Sequence, residues 1–452
     1  MKKLVVLSLF LAGIVACTSN SDYYFNDDLL TSGQLDDELT AALIGSGGNL
    51  AYFRQPASAD FDNIPQDPKN PLSRAKVELG KLLFHETALA TDSRFPESKN
   101  TYSCASCHHA AAGFQANLAQ GIGDGGMGFG QNGEGRIVNP LCPEEDIDVQ
   151  PIRSPSALNI AYQTNILWNG QFGATAINSD TDSYWEEGTP KAVNKLGYEG
   201  TETQAIAGLS VHRFGLSIDE DFIATTAYKE LFDVAFGDWA EAERYNSETA
   251  GLAIAAYERT LLPNESPFQR WLGGESEAMT DMEKNGALLF FKHNCDNCHS
   301  GPALSTMSFQ AYGMNDLYQE GSAINVSEID GANLGRGGFT KDATDNYKFK
   351  VPQLYNLQDS KFYGHGSSFN SIEEVVRYKN TGIAENSRVP EEQLSPDFVP
   401  LGMADMEIKQ LTEFIKKSLY DPNLVRYVPS AIPSGNCFPN NDALSKVDLN
   451  CI

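Results

Sequence analysis

Two short arrays hold the residues of this chain with the most evident chemistry. They read CASCH at 104–108 and CDNCH at 295–299, so each is a Cys-x-x-Cys-His sequence. Such an array has three chemical interpretations: part of a zinc site, a redox-active dithiol, or the anchor of a c-type haem.

The haem anchor is the interpretation that uses every residue of the array. Two thiols add across the porphyrin vinyl groups, and the histidine that follows becomes an axial ligand of the iron. Zinc would need four ligands in one cluster, and a dithiol needs no histidine. We therefore predict two covalently bound haem c groups, attached through Cys104, Cys107, Cys295 and Cys298 and ligated by His108 and His299.

The chain begins like an exported protein. Residues 1–16 read as a signal peptide, because two lysines precede an apolar run that is too short to span a bilayer. Cys17 follows "IVA" as in the lipobox of bacterial lipoproteins, which predicts a lipid anchor; ordinary cleavage with a spare cysteine is the alternative. The polar residues of 17–70 predict a flexible tether. The predicted location is periplasmic and membrane-anchored, where disulfides and haem attachment can form.

The chain is strongly acidic. Its formal net charge is -27, and removal of residues 1–16 with their two lysines would make it about -29. This charge argues against nucleic acid as a partner. It would also attract a basic redox partner, although plain solubility is the simpler explanation.

Three cysteines remain outside the arrays and the N-terminus. Cys437 and Cys451 bracket a short polar tail, which favours a local disulfide between them and leaves Cys142 free. Such a bridge would stabilise the C-terminus by roughly 2–3 kcal/mol.

Two further patterns are weak. Residues 121–126 satisfy G-x-G-x-x-G but follow an array rather than a strand, which indicates a loop. Asn178, Asp180 and Asp182 have the spacing of a calcium loop but lack its glycine and glutamate, which indicates a solvated loop.

Helix signals predict a mainly α fold of two cytochrome c-like haem domains with long loops. Strand alternation is scarce. The expected units are an N-terminal domain at 71–245, a C-terminal domain at 246–425 and a tail at 426–452. Helix N-termini are expected at Ser73 and at two capping boxes, Thr280 with Glu283 and Ser371 with Glu374.

Four stretches surround the arrays in a recognisable order: ELGKLLFHETAL, RSPSALNIAYQTNILWNGQFG, AIAAYERTLLPNESPFQRWL and FKVPQLYNLQDSKFYGHGSSFNSIEEVV. With the two arrays they resemble the bacterial di-haem cytochrome c peroxidases, a family that includes methylamine-utilisation-type relatives. The resemblance covers residues 71–422. Insertions at 110–150 and 172–200 fall outside its usual pattern.

The resemblance implies different tasks for the two haems. In the family the N-terminal haem binds peroxide and the C-terminal haem receives electrons, and a tryptophan between them matches Trp168. Hydrogen peroxide takes two electrons at once, but a small cytochrome c or cupredoxin delivers one at a time, so a second iron holds an oxidising equivalent. Without the resemblance, Trp168 would read as a core aromatic.

Two positions near the first array depart from the family pattern. The stretch QGIGDGGMG lacks the histidine that in many members blocks the resting peroxide-binding haem, so an open site is expected. Arg153 stands where the family has an asparagine ligand of a bridging calcium, which puts calcium in doubt.

The sixth ligand of the second haem departs as well. The family uses Met or Tyr there, and the matching helix offers Tyr378 or, in an ungapped alignment, Lys379; we prefer Tyr378. Met307 and Met314 are interpreted as core residues. His365 is interpreted as support near the haem edge rather than as a ligand.

Peroxide cleavage also needs a group that moves a proton between the two oxygens. In the family a glutamate does this shortly after a glutamine; Gln204 matches the glutamine, and His212 and Arg213 stand about where the glutamate is expected. A histidine suits proton transfer near neutral pH, and an arginine stabilises developing negative charge. Contact with haem propionates or solvent is the alternative for both.

Three functions fit these observations. The first is a peroxidase that reduces hydrogen peroxide to water with electrons from a small periplasmic redox protein. The second is an oxidase acting on a protein partner, as in the methylamine-utilisation type. The third is a non-enzymatic electron-transfer cytochrome, which an open first haem disfavours. A homodimer is compatible with the sequence. Membrane contact is expected through the lipid anchor only.

Overall fold

The computed structural model describes residues 30–215 and 227–451. The predicted signal peptide and Cys17 lie outside the described residues. Within those ranges the protein is mainly α, as predicted, with many short 3-10 turns. The α-helices, numbered in chain order, are α1 Ser32–Gly47, α2 Arg74–His85, α3 Gly200–Val211, α4 Tyr228–Ala235, α5 Ser247–Arg259, α6 Pro267–Leu272, α7 Asp281–Lys292, α8 Arg336–Thr340, α9 Ile372–Thr381, α10 Asp405–Glu413 and α11 Ala443–Asp448.

Two small antiparallel sheets lie in the long segments that follow the arrays. Strand β1 (Gly126–Met127) pairs with β2 (Ile137–Val138), and β3 (Phe309–Gln310) pairs with β4 (Phe349–Lys350). None of the helices in the described ranges has the length and apolar character needed to cross a bilayer.

The helix starts follow the local sequence signals. Ser73 caps α2 by accepting a hydrogen bond from the Lys76 amide, which confirms the predicted start. The capping boxes at Thr280 and at Ser371 are both present, at the starts of α7 and α9.

The first hydrophobic core is built by α2, α3, α4 and α5. At Gly80 the backbone of α2 lies so close to Ala253 of α5 that a side chain would not fit between them. Helix α5 therefore belongs to the first core. The predicted division at 245/246 puts α5 in the C-terminal domain. Its packing puts it in the first core instead.

The second core contains α1, α6, α7, α9 and α10. Leu39 and Leu43 of α1 are fully buried in it, and Asp36 pairs with Lys284 of α7 at 2.7 Å. The prediction of a flexible tether is wrong for residues 32–47, because the apolar face of α1 is buried against the second core.

The C-terminal tail returns to the first core. The predicted disulfide between Cys437 and Cys451 is present, and Cys142 is free and buried. Asp442 and Asp448 accept hydrogen bonds from backbone amides at Gly128 and Gly130, at 3.0 and 2.8 Å. The tail therefore braces the loop that follows the first array.

Candidate active site

The first array borders a cavity of about 270 Å³. Cys104 begins a 3-10 turn, and the amide of His108 donates back to the Cys104 carbonyl at 3.0 Å. The His108 Nδ1 lies 3.2 Å from the Phe114 carbonyl oxygen, so it donates there and leaves Nε2 as a free acceptor. Burial lowers the pKa of His108 to about 4, which keeps the ring neutral and able to ligate a metal.

The second array repeats this geometry at a cavity of about 200 Å³. Its turn begins at Cys295, and the His299 amide donates to the Cys295 carbonyl at 2.8 Å. The His299 Nδ1 lies 3.0 Å from the Leu304 carbonyl oxygen, and burial lowers the pKa of His299 to about 4. Both arrays thus offer one preoriented imidazole to a cavity.

The thiols of the arrays suit haem better than zinc. Among the described residues, no group of three or more His, Cys, Asp and Glu side chains is placed to hold a metal ion, as a structural zinc site would require. A haem anchor needs only the two thiols and the histidine that each array supplies. The residues present therefore fit a c-type haem at each array.

Trp168, Arg153 and Lys350 border both cavities and form a shared wall. The Trp168 indole N–H donates to the Arg153 carbonyl at 2.8 Å, and the Lys350 amide donates to the Trp168 carbonyl at 2.7 Å. The indole is thereby fixed between the two arrays.

Helix α3 presents the predicted proton-transfer residues to the first cavity. Gln204, Gly208 and Val211 border the cavity at helical spacing, and His212 borders it just after the helix ends. Arg213 then adopts a left-handed φ of 58°, and the chain turns back as the Phe214 amide donates to the Leu209 carbonyl.

Asp148 holds His212 in place. The His212 Nδ1 lies 2.9 Å from Asp148 Oδ2, and the carboxylate is almost completely buried. Burial opposes the charged imidazole, but the Asp148 carboxylate outweighs burial and raises the pKa of His212. The hydrogen bond leaves Nε2 free for proton transfer.

Arg213 does not border the first cavity, unlike its neighbour His212. Its Nη1 donates to Asp124 Oδ2 at 2.7 Å and to the Asp146 carbonyl at 3.0 Å. Consecutive side chains at the end of a helix diverge by roughly 100°, so one of the two neighbours turns away.

Helix α9 carries both candidates for the sixth ligand of the second haem. Lys379 borders the second cavity, and Tyr378 does not. The Tyr378 hydroxyl donates to the Tyr312 carbonyl at 2.5 Å, and its ring packs on Phe398. Burial lowers the pKa of Lys379 to about 7, so its amine is neutral in a large fraction of molecules near neutral pH.

His365 borders the second cavity in a supporting position. Its ring stacks on Phe349 at 3.6 Å between centroids, and Nε2 lies 3.1 Å from Asp316 Oδ1. It also lies edge-on to Trp168 at 6.3 Å. Met314 borders this cavity too, whereas Met307 does not.

Residues 74–277 match the family described as di-haem cytochrome c peroxidase. The match confirms the resemblance seen in the sequence.

Curated relatives carry the names of peroxidases and of MauG. The chain is 27% identical to cytochrome c peroxidase Ccp of Escherichia coli over 76% of this chain, and spans 63% of that protein. It is 27% identical to methylamine utilization protein MauG of Methylorubrum extorquens over 82% of this chain and 84% of that protein. Cytochrome c551 peroxidase of Pseudomonas aeruginosa is 26% identical over 76% of this chain and 82% of its own length.

Two solved structures share the fold of this chain. A MauG-like protein associated with microbial copper homeostasis aligns with a TM-score of 0.56 at 21% identity, covering 81% of this chain and 95% of that one. The diheme peroxidase BthA from Burkholderia thailandensis aligns at 0.51 and 17% identity, covering 80% and 90%.

Three buried charged groups at the cavities were missed by sequence reasoning. Asp148 lies in the insertion at 110–150, outside the family pattern. Lys350 donates from Nζ to Gln163 and to the Asn165 carbonyl, and burial lowers its pKa to about 7. Glu258 borders the first cavity with Oε2 unpartnered, and burial followed by the nearby Glu202 raises its pKa to about 8. Lys350 and Glu258 both lie inside the sequence stretches that carry the family resemblance. That position was the signal by which they could have been found.

The two weak motifs behave as loops. Residues 121–126 approach the active site closely, since a side chain on Gly123 would collide with the Asp148 carboxylate. Asn178 donates from its amide to the Gly170 and Gly173 carbonyls, while Asp180 and Asp182 are exposed.

Proposed function

We propose that this protein reduces hydrogen peroxide to water with electrons from a small redox protein. One peroxide takes two electrons and two protons and yields two water molecules. The observation that carries the proposal is the pair of array-bordered cavities that share Trp168 in one wall.

We infer that each array holds one covalent haem c in a cytochrome c-like unit. Cys104 and Cys107 would attach the first haem, and His108 would ligate its iron. Cys295, Cys298 and His299 would do the same for the second. When bound, the haem irons supply the electron-transfer chemistry of the reaction.

His212 is the proposed proton carrier of the first cavity. Its free Nε2 takes a proton from one oxygen of the peroxide and returns it to the oxygen that leaves as water. Asp148 positions the ring and stabilises the imidazolium while it holds the proton. Gln204, on the same side of α3, is a hydrogen-bonding partner for the peroxide.

Electrons would enter at the second site and cross the shared wall at Trp168. Its indole is oriented by Arg153, which places an aromatic ring between the arrays. The net charge of -27 favours a donor with a basic docking face, such as a small cytochrome c or cupredoxin.

Arg153 supports the doubt about calcium. Its guanidinium is buried and donates to Gln115 Oε1 at 2.6 Å and to Ser360 Oγ at 2.7 Å. A cation fixed at this place would repel a divalent ion, so we propose that this chain uses Arg153 instead of calcium.

The proposed location is the periplasm, with a lipid at Cys17 as the membrane anchor. An apolar N-terminal run before Cys17 and a disulfide between Cys437 and Cys451 both suit an exported protein.

The test is a steady-state assay of the holoprotein with peroxide and a reduced small cytochrome or cupredoxin. The proposal predicts rapid donor oxidation that needs both peroxide and protein. Peroxide-independent shuttling of electrons between two donors, without peroxide consumption, would instead indicate a plain electron-transfer cytochrome.

A second candidate is oxidation of a protein partner. The similarity to MauG over 82% of this chain favours it. An amine ligand from Lys379 at the second cavity would also lower the reduction potential of the second haem relative to a methionine ligand, which favours retention of an oxidising equivalent. Peroxide-driven oxidation of an aromatic residue in a co-purified partner, with no oxidation of a small donor, would favour this candidate.

A further inference from the structure

One face of helix α9 borders the second cavity. Ile372, Val375, Val376 and Lys379 all line it, at the i, i+3, i+4 and i+7 positions of a single helical stripe. Three of these side chains are apolar. The fourth places an amine at the end of the stripe, in the cavity that His299 borders.

The Lys379 amine has no ion pair or oxygen acceptor among the described residues. Its Nζ lies 2.7 Å from the centroid of the Tyr312 ring. Two buried lysines differ from it: Lys284 pairs with Asp36, and Lys350 donates to the Asn165 carbonyl. A lysine with a purely structural role is expected to have such an anion or oxygen acceptor, because an ammonium removed from water without one is costly. Lys379 has only the aromatic contact among the described residues.

The imidazole that also borders this cavity is already engaged. The His365 Nε2 pairs with Asp316, which also accepts from Asn386 at 3.0 Å. Met314 remains as a rival ligand, with its sulfur packed against Gly364.

We propose that Lys379, in addition to His299, is a protein ligand of the haem iron held at the second array. The inference deepens the proposed function and rests on it only in that a haem is bound at the second array. Coordination uses the Nζ lone pair, so the ammonium releases its proton to solvent and no electron is transferred. An amine lowers the reduction potential relative to a methionine thioether, which favours retention of an oxidising equivalent.

The test uses near-infrared magnetic circular dichroism and electron paramagnetic resonance of the oxidised holoprotein. The wild type should show a low-spin haem with amine and imidazole ligands. Lys379→Ala and Lys379→Arg should both lose this signal, and the second haem should then bind added imidazole. The arginine variant keeps the positive charge, so a purely electrostatic role would leave its signal intact and would overturn the proposal.

Two matched variants complete the design. Tyr378→Phe and Met314→Leu should both keep the wild-type signal, and its loss in either would assign the ligand to that residue. Lys379→Met should replace the amine signature by that of a thioether, which tests the proposal even if Lys379→Ala fails to mature. Peroxide turnover by the wild type is recorded separately, so failure of the peroxidase function leaves the spectroscopic result readable.

Discussion

The Nδ1 atom of His212 lies 2.9 Å from Oδ2 of Asp148, and the two residues are 64 positions apart in the chain. His212 directly follows helix α3, whereas Asp148 comes from the loop after the first array. The Gly123 amide donates to the Asp148 carbonyl at 2.8 Å, which fixes the aspartate against the loop. The loop that follows the first array therefore completes the proposed proton-transfer pair.

Replacement of His212 by alanine removes the proposed proton carrier. We expect the second-order rate of reaction with peroxide to fall by roughly a hundredfold or more, because general acid–base groups contribute on this scale. Stopped-flow absorbance of the holoprotein measures this rate. Ser210→Ala, an exposed change on the same helix, is the control and should react normally. A wild-type rate in His212→Ala would place the proton carrier elsewhere.

Replacement of Asp148 by asparagine should change the pH profile. The carboxylate raises the pKa of His212, and only the neutral ring accepts a proton, so the rate falls as pH drops through that pKa. Loss of the carboxylate charge lowers the His212 pKa, and the acid limb of kcat/KM should move to lower pH. Asp146→Asn changes an exposed side chain of the same loop that pairs with Arg94, and it should leave the limb in place. An unmoved limb in Asp148→Asn would contradict the pairing.

Replacement of Trp168 by phenylalanine removes the indole N–H bonded to Arg153 and shrinks the ring in the shared wall. We expect donor-dependent turnover to fall about tenfold, equivalent to about 1.4 kcal/mol on the barrier. Reduction of the second haem by the donor should stay fast, so rapid-mixing spectra separate the two steps. Trp185 is equally buried and also donates through its indole, so Trp185→Phe is the matched control. Equal turnover in both variants would remove Trp168 from the electron path.

Replacement of Cys451 by serine opens the disulfide that pins the tail. The free energy of unfolding should fall by roughly 2–3 kcal/mol, because the unfolded chain regains the entropy of a short closed loop. Differential scanning calorimetry of the holoprotein gives the change. A Cys437→Ser, Cys451→Ser double variant should match the single variant, since the bridge is absent in both. An unchanged Tm would show that the tail is held by its hydrogen bonds alone.

Local features of the protein could be predicted from the sequence. The Ser73 cap, the two capping boxes and the Cys437–Cys451 bridge depend on residues that are near neighbours in the chain. The local geometry of the two Cys-x-x-Cys-His arrays belongs to the same class, because each places its thiols and imidazole within five residues.

Features that depend on packing could not be predicted from the sequence. Asp148 and His212 meet through a loop whose path no local signal fixes. Tyr378 and Lys379 are adjacent, and a shift of one residue turns a helix by roughly 100°, so an alignment alone could not choose between them. Helix α1 looked like part of a polar tether by composition, although Leu35, Leu39 and Leu43 form an apolar stripe that the second core buries.

Reduction of one peroxide by two electrons that pass through two haems is the central proposal for this protein. The most direct test is a titration of reduced donor with hydrogen peroxide in the presence of a catalytic amount of holoprotein, for which intact mass has first shown two haems per chain. Two donor molecules should be oxidised for each peroxide consumed. Peroxide consumption without donor oxidation would contradict this proposal. So would a failure to consume peroxide by protein that carries both haems.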